Sequence, residues 1–382
     1  MKSDLNLLEI NNLNVSFGTG EHKVMDVKNL NIRLKDGDTI GIVGESGSGK
    51  SVTSLAIMGL LSSAASASGS IIFRSGNEEV DLLTASPSAF RNIRGKRIAM
   101  IFQEPMTSLN PVHTCGAQVA EVIKEHSRIN TAEARLKVLE LFKKVNLPRP
   151  ESLYDSYPHQ LSGGQKQRVM IAMALSCNPD LIIADEPTTA LDVTVQKKIL
   201  KILKELCFQN NTGLIFITHD LGVVAEIADK VCVMYRGDVM EQGDVKSIFN
   251  NPENPYTRAL LACRPRLDNN PPRLPVVSDF LNPESRQQYE ESDSSMAKSS
   301  DERLIDVRNL NVWFPSKRDW RGKPVAFVQA VNDVSFYVNR GETLGKAYGS
   351  YEDLLADPDI DVVYISTPHS HHFPLAMKAL DQ

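Results

Sequence analysis

The sequence predicts an α/β fold, and three observations carry the prediction. Between residues 8 and 263, short apolar runs rich in β-branched residues alternate with longer helical patterns. A glycine-rich loop, Gly44-Glu45-Ser46-Gly47-Ser48-Gly49-Lys50-Ser51, stands between one such run and one such pattern. A third run, Leu181-Ile182-Ile183-Ala184-Asp185-Glu186, is apolar until it ends in two adjacent carboxylates.

Strands are predicted at residues 39–43, 97–102, 181–185, 214–218 and 230–235, where Val, Ile and Leu dominate. Helices are predicted at 50–60, 131–145, 163–176, 193–207 and 221–228. From Glu104 to Tyr157 the strand signal disappears, which predicts a mostly helical insertion.

Length and composition set the frame. At about 150 residues per domain, a chain of 382 residues holds two domains or slightly more. With 42% apolar and 23% charged residues it is an ordinary globular sequence, so wholesale disorder and collagen-like repeats are excluded. No apolar stretch is long enough to span a bilayer, and Met1-Lys2-Ser3-Asp4 leads into no signal-like apolar run. The five cysteines form no C-x-x-C pair, as expected in a reducing compartment. A formal charge of −5 gives no electrostatic footprint for nucleic acid, so no nucleic-acid partner is expected. The expectation is a soluble cytoplasmic protein.

Composition shifts near Arg264. Residues 264–302, with Asn269-Asn270-Pro271-Pro272 and Glu290-Glu291-Ser292-Asp293-Ser294-Ser295, offer few apolar groups to offset ordering entropy and read as a linker. An internal repeat follows. Leu8-Glu9-Ile10-Asn11-Asn12-Leu13-Asn14-Val15-Ser16-Phe17 matches Ile305-Asp306-Val307-Arg308-Asn309-Leu310-Asn311-Val312-Trp313-Phe314. Asp36-Gly37-Asp38-Thr39-Ile40-Gly41 matches Arg340-Gly341-Glu342-Thr343-Leu344-Gly345. Beyond Gly345 the match stops, and the 37 remaining residues are too few for the rest of the first copy.

The glycine-rich loop fits G-x-x-x-x-G-K-[ST]. Its glycines let backbone N–H groups wrap phosphate oxygens, and the following helix N-terminus adds a favourable field. Lys50 places a compact positive charge on β- and γ-phosphates, and the Ser51 hydroxyl is a Mg²⁺ ligand. The competing reading is a turn that merely caps a helix. Asp185 and Glu186 alone are also a common strand ending. Paired with the loop, Asp185 becomes the expected Mg²⁺ partner and Glu186 the candidate general base. Leu161-Ser162-Gly163-Gly164-Gln165 reads as a capping box, with Ser162 as N-cap and Gln165 at the third helical position. Gly163 and Gly164 sacrifice helix propensity, which makes sense where a backbone or phosphate approaches closely.

The loop, Leu-Ser-Gly-Gly-Gln and Asp-Glu, in that order, resemble the nucleotide-binding domain of ATP-binding-cassette (ABC) proteins over roughly residues 5 to 263. The resemblance implies a P-loop NTPase core with an antiparallel β subdomain and a helical subdomain. It implies ATP and Mg²⁺ as cofactors, with Gly44, Ser46, Gly47, Gly49, Lys50, Ser51 and Val52 on the phosphates. It makes Phe17 the aromatic that stacks on adenine, against the competing reading of an edge-strand core residue. Gln103 becomes a Mg²⁺-sensing residue, with Ser51 and Asp185 as the other metal partners, and His219 a γ-phosphate switch. Ser162, Gly163, Gly164, Gln165 and Asp192 become contacts to nucleotide held across a head-to-tail dimer.

Gln103-Glu104-Pro105-Met106-Thr107-Ser108-Leu109-Asn110-Pro111 and Pro255-Tyr256-Thr257-Arg258-Ala259-Leu260-Leu261 resemble the ATPases of dipeptide, oligopeptide and nickel importers. This implies transmembrane permease subunits, a second cassette and, indirectly, a periplasmic or extracellular solute-binding protein as partners. It implies a peripheral position at the cytoplasmic face of the membrane. The repeat resembles members that fuse two cassettes in one chain. The expected domains are a nucleotide-binding domain at 1–263, the linker at 264–302, the start of a truncated second cassette at 303–345 and a fragment at 346–382. That last stretch, with Asp357-Pro358-Asp359-Ile360-Asp361-Val362-Val363-Tyr364-Ile365-Ser366-Thr367-Pro368-His369, resembles the Rossmann domain of the glucose–fructose oxidoreductase and inositol dehydrogenase family. It lacks the pyrophosphate-binding G-x-G-x-x-G loop, so no working dehydrogenase is expected. His369, His371 and His372 read as remnants of that pattern rather than as a metal set.

Overall fold

The computed structural model describes residues 5–18, 24–103, 108–189, 191–263, 277, 280, 303–318 and 323–339. The chain divides into two units, Met1–Leu261 and Ala262–Gln382. Expectations for residues 104–107, Ala190, most of the linker and the tail after Asn339 lie outside the described residues.

In chain order the first unit runs β1 (Leu8–Phe17), β2 (Val24–Leu34), β3 (Thr39–Val43), α1 (Lys50–Ile57), β4 (Ala65–Ser75), β5 (Glu78–Asp81), α2 (Pro87–Ile93) and β6 (Ile98–Ile101). It continues through α3 (Cys115–His126), α4 (Thr131–Lys144), α5 (Pro150–Tyr154), a 3₁₀ turn (Pro158–Gln160), α6 (Gly163–Leu175), β7 (Leu181–Asp185) and α7 (Val193–Asn210). It closes with β8 (Gly213–Thr218), α8 (Leu221–Ile227), β9 (Lys230–Tyr235), β10 (Asp238–Asp244), α9 (Val245–Asn250) and α10 (Pro255–Ala262).

Two sheets form. The antiparallel one has order β2-β1-β4-β5, and the larger has order β10-β9-β3-β8-β7-β6. In the larger, β9, β3, β8, β7 and β6 are parallel and β10 is an antiparallel edge. Every residue of β3, β7 and β8 is buried, as parallel strands covered on both faces require. A single apolar core joins the sheets through α1: Ile10 and Val15, Ile32, Ile57, Ile183, Ile217 and Met234 all belong to it.

β1 shows how sequence dictates pairing. Its buried apolar residues are Leu8 and Ile10, then Leu13 and Val15, so the alternation changes phase midway. A bulge absorbs the extra residue, with Asn12 at φ 49°. On the paired strand β2, Asn29 is also at φ 49°. Asn12 N–H donates to Asn31 Oδ1 at 2.9 Å, and Asn29 N–H donates to Asn14 Oδ1 at 2.9 Å.

Two helix ends differ from the sequence expectation. α1 stops at Ile57 because Gly59 turns left-handed, with Gly59 N–H on Ala56 O and Leu60 N–H on Leu55 O. α7 continues to Asn210, where Asn211 at φ 54° ends it. The predicted helical insertion is present as α3, α4 and α5, which pack on one another and, through α3 and α4, on α6. An N-cap at Thr114 and a capping box of Asn130 with Glu133 start α3 and α4.

The described strands of the second unit form the hairpin β11 (Arg303–Arg318) and β12 (Pro324–Asn339). It reproduces the double bulge of β1 and β2. Asn309 and Asp333 have φ 51° and 53°, Asn309 N–H donates to Ser335 Oγ at 2.8 Å, and Asp333 N–H donates to Asn311 Oδ1 at 3.0 Å. The internal repeat is therefore structural as well as sequential, and it includes the second strand. Among the described residues β11 has only β12 as a neighbour, and Trp313, Phe314 and Phe327 are each about half exposed.

Candidate nucleotide-binding and catalytic site

The parallel sheet gathers the candidate residues at one edge. The glycine-rich loop leaves the C-terminal end of β3, Gln103 follows β6, Asp185 ends β7 and His219 follows β8. Carboxyl ends of such strands are where open α/β sheets bind ligands.

The loop is pinned from behind. A side chain at Gly49, which sits at φ 98°, would run into the Asp26 carbonyl, so only glycine lets the loop lie against β2. Gly237 N–H donates to Ser48 O at 3.2 Å. Lys50 is 5% exposed, and its ammonium donates to the carbonyls of Gly44 and Glu45, both at 2.8 Å. Burial pulls its pKa down, opposed by the charges of Glu186, Asp185 and Glu45. Its charge is thus held ready by weak carbonyl acceptors that a phosphate can replace. Glu45, Ser46 and Gly47 are exposed, while Gly44 is buried and Val52 packs on the core.

Ser51 Oγ donates to Asp185 Oδ1 at 3.2 Å, joining the loop to the end of β7. Asp185 is 4% exposed, and burial raises its pKa, partly offset by the Ser51 hydrogen bond. Among the described residues no group of three or more His, Cys, Asp or Glu could hold a metal. The pair Ser51 and Asp185 instead offers hard oxygen donors, the set that Mg²⁺ accepts when phosphates and water complete its shell.

Glu186 lies in the left-handed region at φ 46°. Its N–H donates to Ile217 O at 2.9 Å, and its carboxylate is clasped on both oxygens. Gln103 Nε2 donates to Oε2 at 3.2 Å, Thr189 Oγ1 donates to Oε2 at 3.0 Å, and His219 Nδ1 lies 3.2 Å from Oε1. The Glu186 side chain is 14% exposed against 63% for His219, so the imidazole reaches a sheltered carboxylate from the solvent side. Thr189 was not among the sequence candidates. Its signal was local: it ends the four-residue turn begun by Glu186, where a hydroxyl commonly bonds back.

Not every candidate joins this cluster. Ser162 caps α6, accepting Gln165 N–H at 3.3 Å while Gln165 Oε1 accepts Ser162 N–H at 3.0 Å, so the capping box is present. A methyl at Gly164 would meet Val195 Cγ1 at 2.7 Å, so its bareness already serves packing within the chain. Gly163 lies against Leu191. Asp192 caps α7 through Val195 N–H at 2.9 Å. Phe17, at the end of β1, is partly buried against the core.

Residues 27–189 match the ABC transporter family. The first unit belongs to that family. The cassette's continuation, residues 240–286, matches the C-terminal region of oligopeptide and dipeptide transporters. Residues 319–382 match the oxidoreductase family with an NAD-binding Rossmann fold. That last match begins within the hairpin whose sequence repeats the first cassette.

Curated relatives include the glutathione import ATP-binding protein GsiA of Escherichia coli strain K12, 46% identical over 89% of this chain and 55% of its own length. The GsiA of Shigella flexneri is 45% identical, with the same shares. The chain therefore spans about half the length of the curated relatives it matches. Among solved structures, a dimeric post-hydrolysis state of the ATP-binding cassette MJ0796 bound to ADP and Pi is 29% identical, with TM-score 0.56, covering 62% of this chain and 98% of that one. The cassette cbiO1 from Clostridium perfringens, part of the transporter complex cbiONQ, is 27% identical, with TM-score 0.56, covering 75% of this chain and all of that one.

Proposed function

We propose that the chain binds and hydrolyses ATP to energise a membrane importer of peptides or related small solutes such as nickel. The observation that carries this is the Ser51 to Asp185 contact at 3.2 Å beside a Glu186 carboxylate clasped by Gln103 and His219. It sets a metal-competent oxygen pair next to a candidate base at the mouth of a phosphate loop. The relatives named for glutathione import favour a peptide-like cargo.

In this reading Gly44, Ser46, Gly47, Gly49, Lys50, Ser51 and Val52 hold the phosphates, and Phe17 stacks on adenine. Ser51, Asp185 and Gln103 would hold Mg²⁺, which when bound neutralises charge on the triphosphate. Lys50 exchanges its carbonyl acceptors for phosphate oxygens. Glu186 takes the proton of a water that attacks the γ-phosphorus as the bond to the ADP oxygen breaks, and His219 orients the γ-phosphate. Ser162, Gly163, Gly164, Gln165 and Asp192 serve nucleotide on an opposing cassette, where α6 presents its N-terminal donors. The partners are permease subunits, a second cassette and, indirectly, a solute-binding protein outside the membrane. The working position is peripheral, on the cytoplasmic face; among the described residues no helix is long and apolar enough to cross a membrane. Residues 1–263 form the nucleotide-binding domain, 264–302 a linker, 303–345 the start of a second cassette and 346–382 an oxidoreductase-type fragment.

Calorimetric titration with MgATP tests the reading. Saturable binding by the intact chain and its loss in Lys50→Ala are expected; no affinity in the intact chain would overturn it. The oxidoreductase match at 319–382 favours a second reading, a chimeric product that binds ATP without transport-coupled activity. Under that reading permease subunits leave the hydrolysis rate unchanged, whereas under the first they raise it.

A further inference from the structure

The phosphate loop has a neighbour that the catalytic reading does not use. The helix α10 begins at Pro255, and its start is capped locally by Asn254 and fastened to β10 by three hydrogen bonds. Asn254 Nδ2 donates to Met240 O at 3.0 Å, and Asn254 Oδ1 accepts Tyr256 N–H at 2.8 Å, as an N-cap followed by proline should. The Glu241 carboxylate accepts Glu253 N–H at 2.9 Å and Asn254 N–H at 3.2 Å. This fastening inserts Tyr256 into the core, where it is 1% exposed and its ring centroid lies 4.5 Å from that of Tyr235.

At the tip of the buried ring the hydroxyl oxygen accepts Glu45 N–H at 3.3 Å. The same Glu45 accepts Lys50 Nζ on its carbonyl at 2.8 Å. Glu45 is otherwise exposed. One loop residue is therefore held at its N–H by α10 and holds the loop lysine at its C=O. Burial pushes the Tyr256 phenol up to about 12, so the group stays neutral and in place across the working range.

We propose that Tyr256 is a positioning residue for the phosphate loop, so that nucleotide affinity depends on the helix that follows the cassette core. The proposal rests on the nucleotide-binding reading above and deepens it. The loop keeps a second support from Gly237 N–H on Ser48 O, so losing the hydroxyl loosens the loop without unfolding it.

The test is Tyr256→Phe in the full chain, which keeps the ring stack and removes only the oxygen. One hydrogen bond predicts a rise of about three- to tenfold in the MgATP dissociation constant. KM rises with it while kcat at saturation changes less, and amide exchange quickens in the peptide spanning residues 43–51 but not in α6. An unchanged dissociation constant with unchanged loop exchange in a folded variant overturns the proposal. Should Y256F fail to fold, Asn254→Asp keeps the cap on Tyr256 N–H but loses the bond to Met240 and sets a carboxylate beside Glu241, loosening the hold of β10 on the helix start. It is expected to quicken exchange in the same loop peptide, and unchanged exchange there overturns the proposal equally. If the intact chain binds no MgATP, the nucleotide reading fails instead, and loop exchange in the two variants still decides the role of Tyr256.

Discussion

Thr189 donates its hydroxyl to Glu186 Oε2 at 3.0 Å and its N–H to the Glu186 carbonyl at 3.2 Å. Gln103 and His219 reach the same carboxylate from the ends of other strands on exposed side chains. Thr189 is tied to it by a short turn, so under the proposed function it would keep its hold while the other two turn to nucleotide. Thr189→Val is expected to lower kcat about tenfold, the worth of one hydrogen bond to a charged group. KM for MgATP should stay within about twofold, and Thr189→Ser should restore the rate. Steady-state phosphate release measures all three.

Glu186→Gln keeps the shape and loses the proton acceptor. Hydrolysis is expected to fall by about 10²–10⁴-fold, the usual worth of a general base, with MgATP binding retained. Single-turnover phosphate release beside calorimetric binding checks it; an unchanged rate would remove Glu186 from the chemistry.

Asp185→Asn should stabilise the nucleotide-free protein at neutral pH. Burial raises the Asp185 pKa above the ordinary 3.8, so at pH 7 the ionised carboxylate penalises the folded state. That penalty vanishes as pH falls through the raised pKa. The variant's advantage, about 2–4 °C in Tm, is therefore expected at pH 7 and should shrink as pH approaches 4. Scanning calorimetry across this range reads it, and a gain that does not depend on pH would contradict the electrostatic cause.

Gly164→Ala puts a methyl 2.7 Å from Val195 Cγ1 at the junction of α6 and α7. The overpacking should cost about 1–3 kcal/mol, and Val195→Ala in the same chain should recover most of it. Denaturant unfolding of the two single variants and the double variant closes the cycle.

Legibility followed the range of each interaction. The capping box of Ser162 and Gln165 spans three residues and was readable from residue types alone. The five strongest strands were readable because each is a continuous apolar run. β4 was not, since its first half is Ala, Ser and Gly, and only pairing with β1 makes it a strand. β1 and β2 are not among the predicted strands, and their bulges at Asn12 and Asn29 follow from pairing. Gly164 was read as leaving room for another backbone or a phosphate, whereas within the chain the space is filled by Val195.

The amino-acid sequence by itself determined the phosphate loop, the two carboxylates ending a strand, the capped helix at Ser162 and the repeat at Ile305. Each is a pattern of neighbours whose chemistry needs nothing distant. Only the tertiary structure decided that Ser51 meets Asp185, 134 residues away, and that Tyr256 supports Glu45 across 211 residues. Parallel strands joined by long crossovers bring their carboxyl ends together whatever lies between them, so spacing along the chain carries no record of which side chains touch.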